Sequence, residues 1–98
     1  MRILILADCH GRPELITNAL NHASHCKGED VLVFAGDIVD IGYHAEECLN
    51  ILEDNSAELL WGNHDFAAVN GYPIHPQNSY DEDFLERLRK IDFKIACS

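Results

Sequence analysis

Apolar and polar positions fall along this chain in blocks. Short apolar runs at 3–7, 31–35 and 59–61 are each followed at once by a polar cluster: Asp8-Cys9-His10-Gly11, Gly36-Asp37-Ile38-Val39-Asp40 and Gly62-Asn63-His64-Asp65. Runs of this length, rich in branched and aromatic residues and bounded by turn residues, predict buried strands, with each polar cluster as the loop leaving its strand. Between them the period is helical. Leu15, Ile16, Ala19, Leu20 and Ala23 share one face of a helix opening at Pro13, with Glu14 beside its positive end and Lys27-Gly28 as its cationic last turn and cap. Ala45, Cys48, Leu49 and Leu52 define a second helix over about 43–53.

After the third run, positions 70–79 read as a loop rich in turn residues. Ser79-Tyr80-Asp81-Glu82 has the form of a capping box. The helix behind it turns Phe84, Leu85 and Leu88 inward and runs from an acidic start to a basic end. Phe93 to Ala96 begins a last strand. The order β-α-β-α-β-loop-α-β predicts an α/β domain with a mainly parallel sheet and right-handed crossovers. The unbroken run at 31–35 fits a sheet covered on both faces. Loops leaving parallel strands meet at one sheet edge, which is where open α/β sheets bind ligands.

Bulk properties narrow the partners. At 98 residues, 47% apolar and 24% charged, the chain is expected to form one domain, or part of one, with a composition ordinary for a soluble globular protein. A net charge of −10 argues against a nucleic-acid or anionic-membrane partner, since both need a basic footprint. It does not exclude a phosphorylated substrate, because bound cations reverse the field locally. The first apolar run is broken by Asp8 and His10 too early for a targeting segment. Cys9, Cys26, Cys48 and Cys97 show no paired spacing, which predicts reduced thiols and a cytoplasmic location.

The three clusters hold the chemistry. Asp8 and His10 are two apart, so at strand period both reach one ion. The Asp37 carboxylate has two oxygens and can bridge two ions, while Asn63 offers a neutral carbonyl oxygen. Asp40 is placed to reach His64, and a carboxylate on an imidazole fixes its tautomer and suits it to general acid work. Gly11, Gly36 and Gly62 permit close approach of the main chain. Asp65 is expected to bond locally and Cys9 to be an inert buried thiol; Tyr72, Tyr80 and the 66–80 loop could form a substrate rim, though no chemistry in the sequence demands it.

In this order, D-x-H, GDxxD and GNHD resemble the motifs of the calcineurin-like metallophosphoesterases. Gly36 to Asp40, with Glu46, Leu49 and Leu52 downstream, is most similar to the serine/threonine protein phosphatase and diadenosine-tetraphosphatase branch. The resemblance covers about residues 1–66. It implies that 1–98 is a single domain forming half of a four-layer α/β/β/α sandwich, without the C-terminal half. It implies two divalent ions (Mn, Fe or Zn, with Mn²⁺ the choice in vitro). Asp8 and His10 would hold the first, Asp37 would bridge, and Asn63 would bind the second. His64 would protonate the leaving oxygen, oriented by Asp40, while a metal-activated hydroxide attacks phosphorus. The implied substrates are a phosphoprotein, a dinucleoside polyphosphate or a small phosphomonoester.

Two departures accompany the resemblance. Ile41 stands where that branch carries a phosphate-binding arginine, and the histidine ligands of a C-terminal half have no counterpart here. The ligand count therefore predicts weak metal binding and low activity for this chain alone. The alternative expectation is a truncated, non-catalytic domain with a binding or regulatory role. An unrelated phosphotransfer receiver would need paired acidic residues after the first strand, which are absent. A strand at Ile95 to Ser98 would leave an open sheet edge and favour self-association.

Overall fold

A computed structural model describes residues 1–72, 74 and 78–90. The elements are β1 (Ile3–Leu6), α1 (Pro13–His22), β2 (Val31–Phe34), α2 (Ala45–Asp54), β3 (Glu58–Leu59), α3 (Asn63–Val69) and α4 (Glu82–Arg89). The strands form one parallel sheet in the order β1-β2-β3, with Ile3 opposite Val31, Leu6 opposite Phe34, and Phe34 opposite Leu59. This is the mixed α/β architecture the sequence predicts.

Strand order explains one departure from expectation. With no reversal in the order 1-2-3, right-handed crossovers place α1 and α2 on the same face of the sheet. They pack against each other, and α3 packs against α4. Leu32 and Phe34 point into the core with Ile16, Leu49, Leu52, Phe84 and Leu88. On the opposite face Ile3 and Ile5 are 62% and 69% exposed, and Val31 and Val33 are half-buried. The sheet is therefore not covered on both faces among the described residues. The apolar run at 31–35 alternates in burial, and its inward side alone is sealed.

Helix boundaries follow local chemistry. Pro13 opens α1 with Glu14 in its first turn. The helix stops at His22, because Ser24 turns left-handed (φ 52°) and His25 N–H folds back to the Leu20 carbonyl at 3.0 Å. Lys27-Gly28 is thus not its cap but part of the turn into β2, where Lys27 bridges Asp30. In α2 the buried Ala45, Cys48, Leu49 and Leu52 repeat at helical spacing. The cap of α4 is Asp81, whose carboxylate accepts from Phe84 N–H at 2.9 Å, two residues past the Ser79 expected to serve.

One short helix, α3, is absent from the sequence reading. It starts inside the third polar cluster, where the Asp65 carboxylate accepts from the Gly62 N–H at 3.1 Å. The strand expected at 93–96, and the sheet edge it would leave, lie outside the described residues.

Candidate metal centre

The three loops converge at the C-terminal edge of the sheet, fastened to each other through their backbones. Asp8 N–H donates to the Gly36 carbonyl at 3.0 Å, His10 N–H to Asp37 at 3.0 Å and Gly11 N–H to Ile38 at 2.6 Å. The loop after β1 therefore runs alongside the loop after β2. The third loop presses equally close. A Cβ on Gly36 would enter the backbone of Gly62, and one on Gly62 would strike the Asp37 carboxylate. No side chain fits in either place.

Asp8, His10 and Asp37 each bring one ligand atom into a cluster whose members all lie within 4.8 Å of one another. The means differs from strand alternation. Asp8 (φ 61°), His10 (φ 45°) and Asp37 (φ 65°) are all left-handed, a conformation that Asp and His tolerate better than most residues. His10 is oriented from behind. Its Nδ1 lies 3.0 Å from the Val39 carbonyl, which can only accept, so Nδ1 carries the proton. Nε2 is then the ligand atom, 3.9 Å from Asp8 Oδ1. An imidazole held through its other nitrogen by a backbone carbonyl is the usual support for a metal-binding histidine. Two carboxylates and one imidazole suit a divalent ion of hard or borderline character.

Asn63 is exposed at the first residue of α3. The next residue ties that turn to the cluster, with His64 N–H donating to Asp37 Oδ1 at 3.0 Å. The His64 ring meets His10 edge-on, with centroids 4.8 Å apart. His64 Nδ1 donates to Asp40 Oδ2 at 2.8 Å, and the Asp40 side chain is fully buried. The pairing read from the sequence is therefore present. Asp40 and Ile41 are both left-handed, at φ 73° and 72°. For a β-branched residue such as Ile41 that is a true outlier.

Two further side chains support the site in ways that differ from what the sequence suggested for them. Asp65, fully buried, accepts from the N–H groups of Asp37 (2.7 Å), Ile38 (2.9 Å), Val39 (3.2 Å) and Gly62 (3.1 Å). Burial raises its pKa, opposed by these four donors. The local bonding expected of Asp65 covers the bond to Gly62 but not those across to the second loop. Tyr80 lies behind Asp40 rather than only at a rim. Its hydroxyl accepts from Asp40 N–H at 2.7 Å and donates to Asp40 Oδ1 at 2.8 Å. Burial and then the Asp40 carboxylate push the phenol well above its ordinary range. No local pattern could have shown this contact, since its partners stand 40 positions apart. Cys9 is buried, as expected. Hydrogen bonding to Cys9 and burial raise the Cys48 thiol far above the usual cysteine range, so it stays protonated.

Comparison with known proteins bears on this site. The family model for calcineurin-like phosphoesterases matches residues 1–95. The chain is 27% identical over 89 residues to an uncharacterised protein of Methanocaldococcus jannaschii, spanning 91% of this chain and 36% of that one. Among solved structures it is similar to a candidate diadenosine tetraphosphatase, with a TM-score of 0.76 and 27% identity, covering 91% of this chain and 42% of the other. A metallophosphoesterase from Sphaerobacter thermophilus shares the fold at a TM-score of 0.69 and 21% identity, covering 92% and 41%. The chain thus spans about two fifths or less of the length of these relatives.

Proposed function

Since the chain belongs to the calcineurin-like phosphoesterase family, we propose that it is a metal-dependent phosphoesterase whose site is built on Asp8, His10, Asp37, Asn63, Asp40 and His64. One observation carries the reading: the cluster of Asp8, His10 and Asp37 lies beside a buried carboxylate–imidazole pair. Asp8, His10 Nε2 and Asp37 would hold a first divalent ion, and Asp37 with Asn63 a second. Such ions lower the pKa of a coordinated water and neutralise charge on phosphoryl oxygens. The remaining work falls to this chain's own groups. With Nδ1 held by Asp40, His64 presents Nε2 as the nitrogen that carries a proton to the leaving oxygen. Asp40 offsets the charge of the protonated ring.

The substrate class we infer is a phosphate ester, whether phosphoprotein, dinucleoside polyphosphate or small phosphomonoester. The structural neighbour described as a candidate diadenosine tetraphosphatase supports the second of these. Buried Cys9 and Cys48 as free thiols support a cytoplasmic setting. Among the described residues no helix is long and apolar enough to cross a membrane.

A second reading, a binding domain without turnover, is favoured by Ile41. It stands about half exposed beside the site and has no charge to offer a phosphate. Calorimetric titration with Mn²⁺ tests the site itself. Weak binding that disappears in Asp37→Asn is expected. Binding that survives Asp37→Asn, or tight binding of two ions per chain, would contradict the ligand assignment.

A further inference from the structure

We propose that Tyr80 is a positioning residue for His64, acting through Asp40; the inference rests on reading His64 as the proton donor. Behind the His64 ring, Asp40 presents three polar groups that need partners: its N–H and two carboxylate oxygens. Oδ2 accepts from His64 Nδ1–H at 2.8 Å. The Tyr80 hydroxyl serves the other two, accepting from Asp40 N–H at 2.7 Å and donating to Oδ1 at 2.8 Å. A hydroxyl can do both because it has one proton and two lone pairs.

The consequence is geometric. A carboxylate held at Oδ1 cannot rotate about its Cβ–Cγ bond without breaking that bond, so Oδ2 stays aimed at His64. The backbone bond has a second effect. Asp40 and Ile41 are consecutive left-handed residues without a glycine between them, and such a loop relaxes unless its surroundings hold it. Tyr80 is itself anchored. Its ring lies 5.5 Å from that of Phe84, which is buried in the first turn of α4, and the next residue, Asp81, caps that helix. The placement of α4 is thus passed to the imidazole through one hydroxyl and one carboxylate. Tyr80 touches neither substrate nor ion in this scheme, and its effect is exerted on the tautomer and aim of His64.

The test is Tyr80→Phe, which keeps the ring and removes the hydroxyl, beside Phe84→Leu, which loosens the ring and keeps the hydroxyl. The first readout needs no turnover. Long-range ¹H–¹⁵N correlation spectra of the metal-free chain, at a pH where imidazoles are neutral, report the tautomer of His64, assigned with His64→Ala. Wild type is expected to hold the Nδ1–H tautomer, Tyr80→Phe to show a mixture with Nε2–H, and Phe84→Leu, which keeps the hydroxyl, to show a smaller admixture than Tyr80→Phe. Unchanged tautomers in Tyr80→Phe would overturn the proposal, as would an equal mixture in Phe84→Leu.

Turnover supplies the second readout. With Mn²⁺, Tyr80→Phe should lower kcat on phenyl phosphate by about tenfold with little change in KM. On p-nitrophenyl phosphate, whose leaving group needs less protonation, the loss should be smaller. Equal losses on both esters would count against a role through His64. The two readings fail separately. A wild type whose hydrolysis ignores His64→Ala defeats the proton-donor reading. A His64-dependent enzyme indifferent to Tyr80→Phe defeats this inference alone.

Discussion

Asp65 accepts four backbone N–H groups from two different loops while exposing none of its own surface. Those donors belong to the residues that shape Asp37 and Asp40, so losing the carboxylate would leave the turn of the second loop without partners. Unsatisfied buried donors cost about 1–3 kcal/mol each where water cannot replace the partner. Partial rehydration sets the expectation for Asp65→Ala at a destabilisation of about 3–5 kcal/mol by urea unfolding, a large part of the stability of a domain this size. A loss below about 1 kcal/mol would show that the loops hold without it. At this scale the sequence was informative where motif and loop coincide. Asp8, His10, Asp37, Asp40 and His64 each follow an apolar run, and all meet at one edge. It was silent where partners are tertiary. Neither the Val39 carbonyl behind His10 nor the Tyr80 hydroxyl behind Asp40 leaves a local pattern.

The start of β1 and the turn into β2 are joined by a single carboxylate. Asp30 takes hydrogen bonds from the Arg2 guanidinium (2.9 Å), Arg2 N–H (3.3 Å) and Cys26 N–H (3.0 Å). The bond from the Arg2 side chain, and then the Cys26 amide, hold its pKa well below the usual carboxylate range. A carboxylate depressed in the folded state stabilises the fold above its unfolded pKa of about 4, and that contribution fades as pH falls toward the folded value. Melting temperatures of wild type should therefore fall more steeply than those of Asp30→Asn between about pH 5 and 2. Parallel curves would show that the pair contributes nothing. Among elements, α2 was legible because its apolar positions fill one face over ten residues. By contrast, α3 has seven residues, too few for a period to declare itself. The end of α1 was overrun because its stop is a left-handed serine, Ser24, and not the glycine at 28.

At the scale of the molecule, the described residues form a three-stranded sheet with α1 and α2 on one face, the candidate site at one edge and apolar Ile3 and Ile5 facing outward. Alternation in a strand reports two environments only when one of them is polar. In 3–6 and 31–34 both faces are apolar, so composition suggested cover on both sides, and only strand order reveals which side is sealed. The chain spans 36% to 42% of the lengths of these relatives, and the donors assembled among the described residues suit one ion better than two. Catalysis by this chain should therefore be slow but recognisably metal-dependent. The most direct measurement is the initial rate of phenyl phosphate hydrolysis by the 98-residue chain with Mn²⁺, with chelator, and with Mn²⁺ in His64→Ala. The account predicts a low rate that chelation abolishes and that His64→Ala reduces by about tenfold or more. A rate that neither chelation nor the substitution lowers, or no rate above that of the variant, would contradict it.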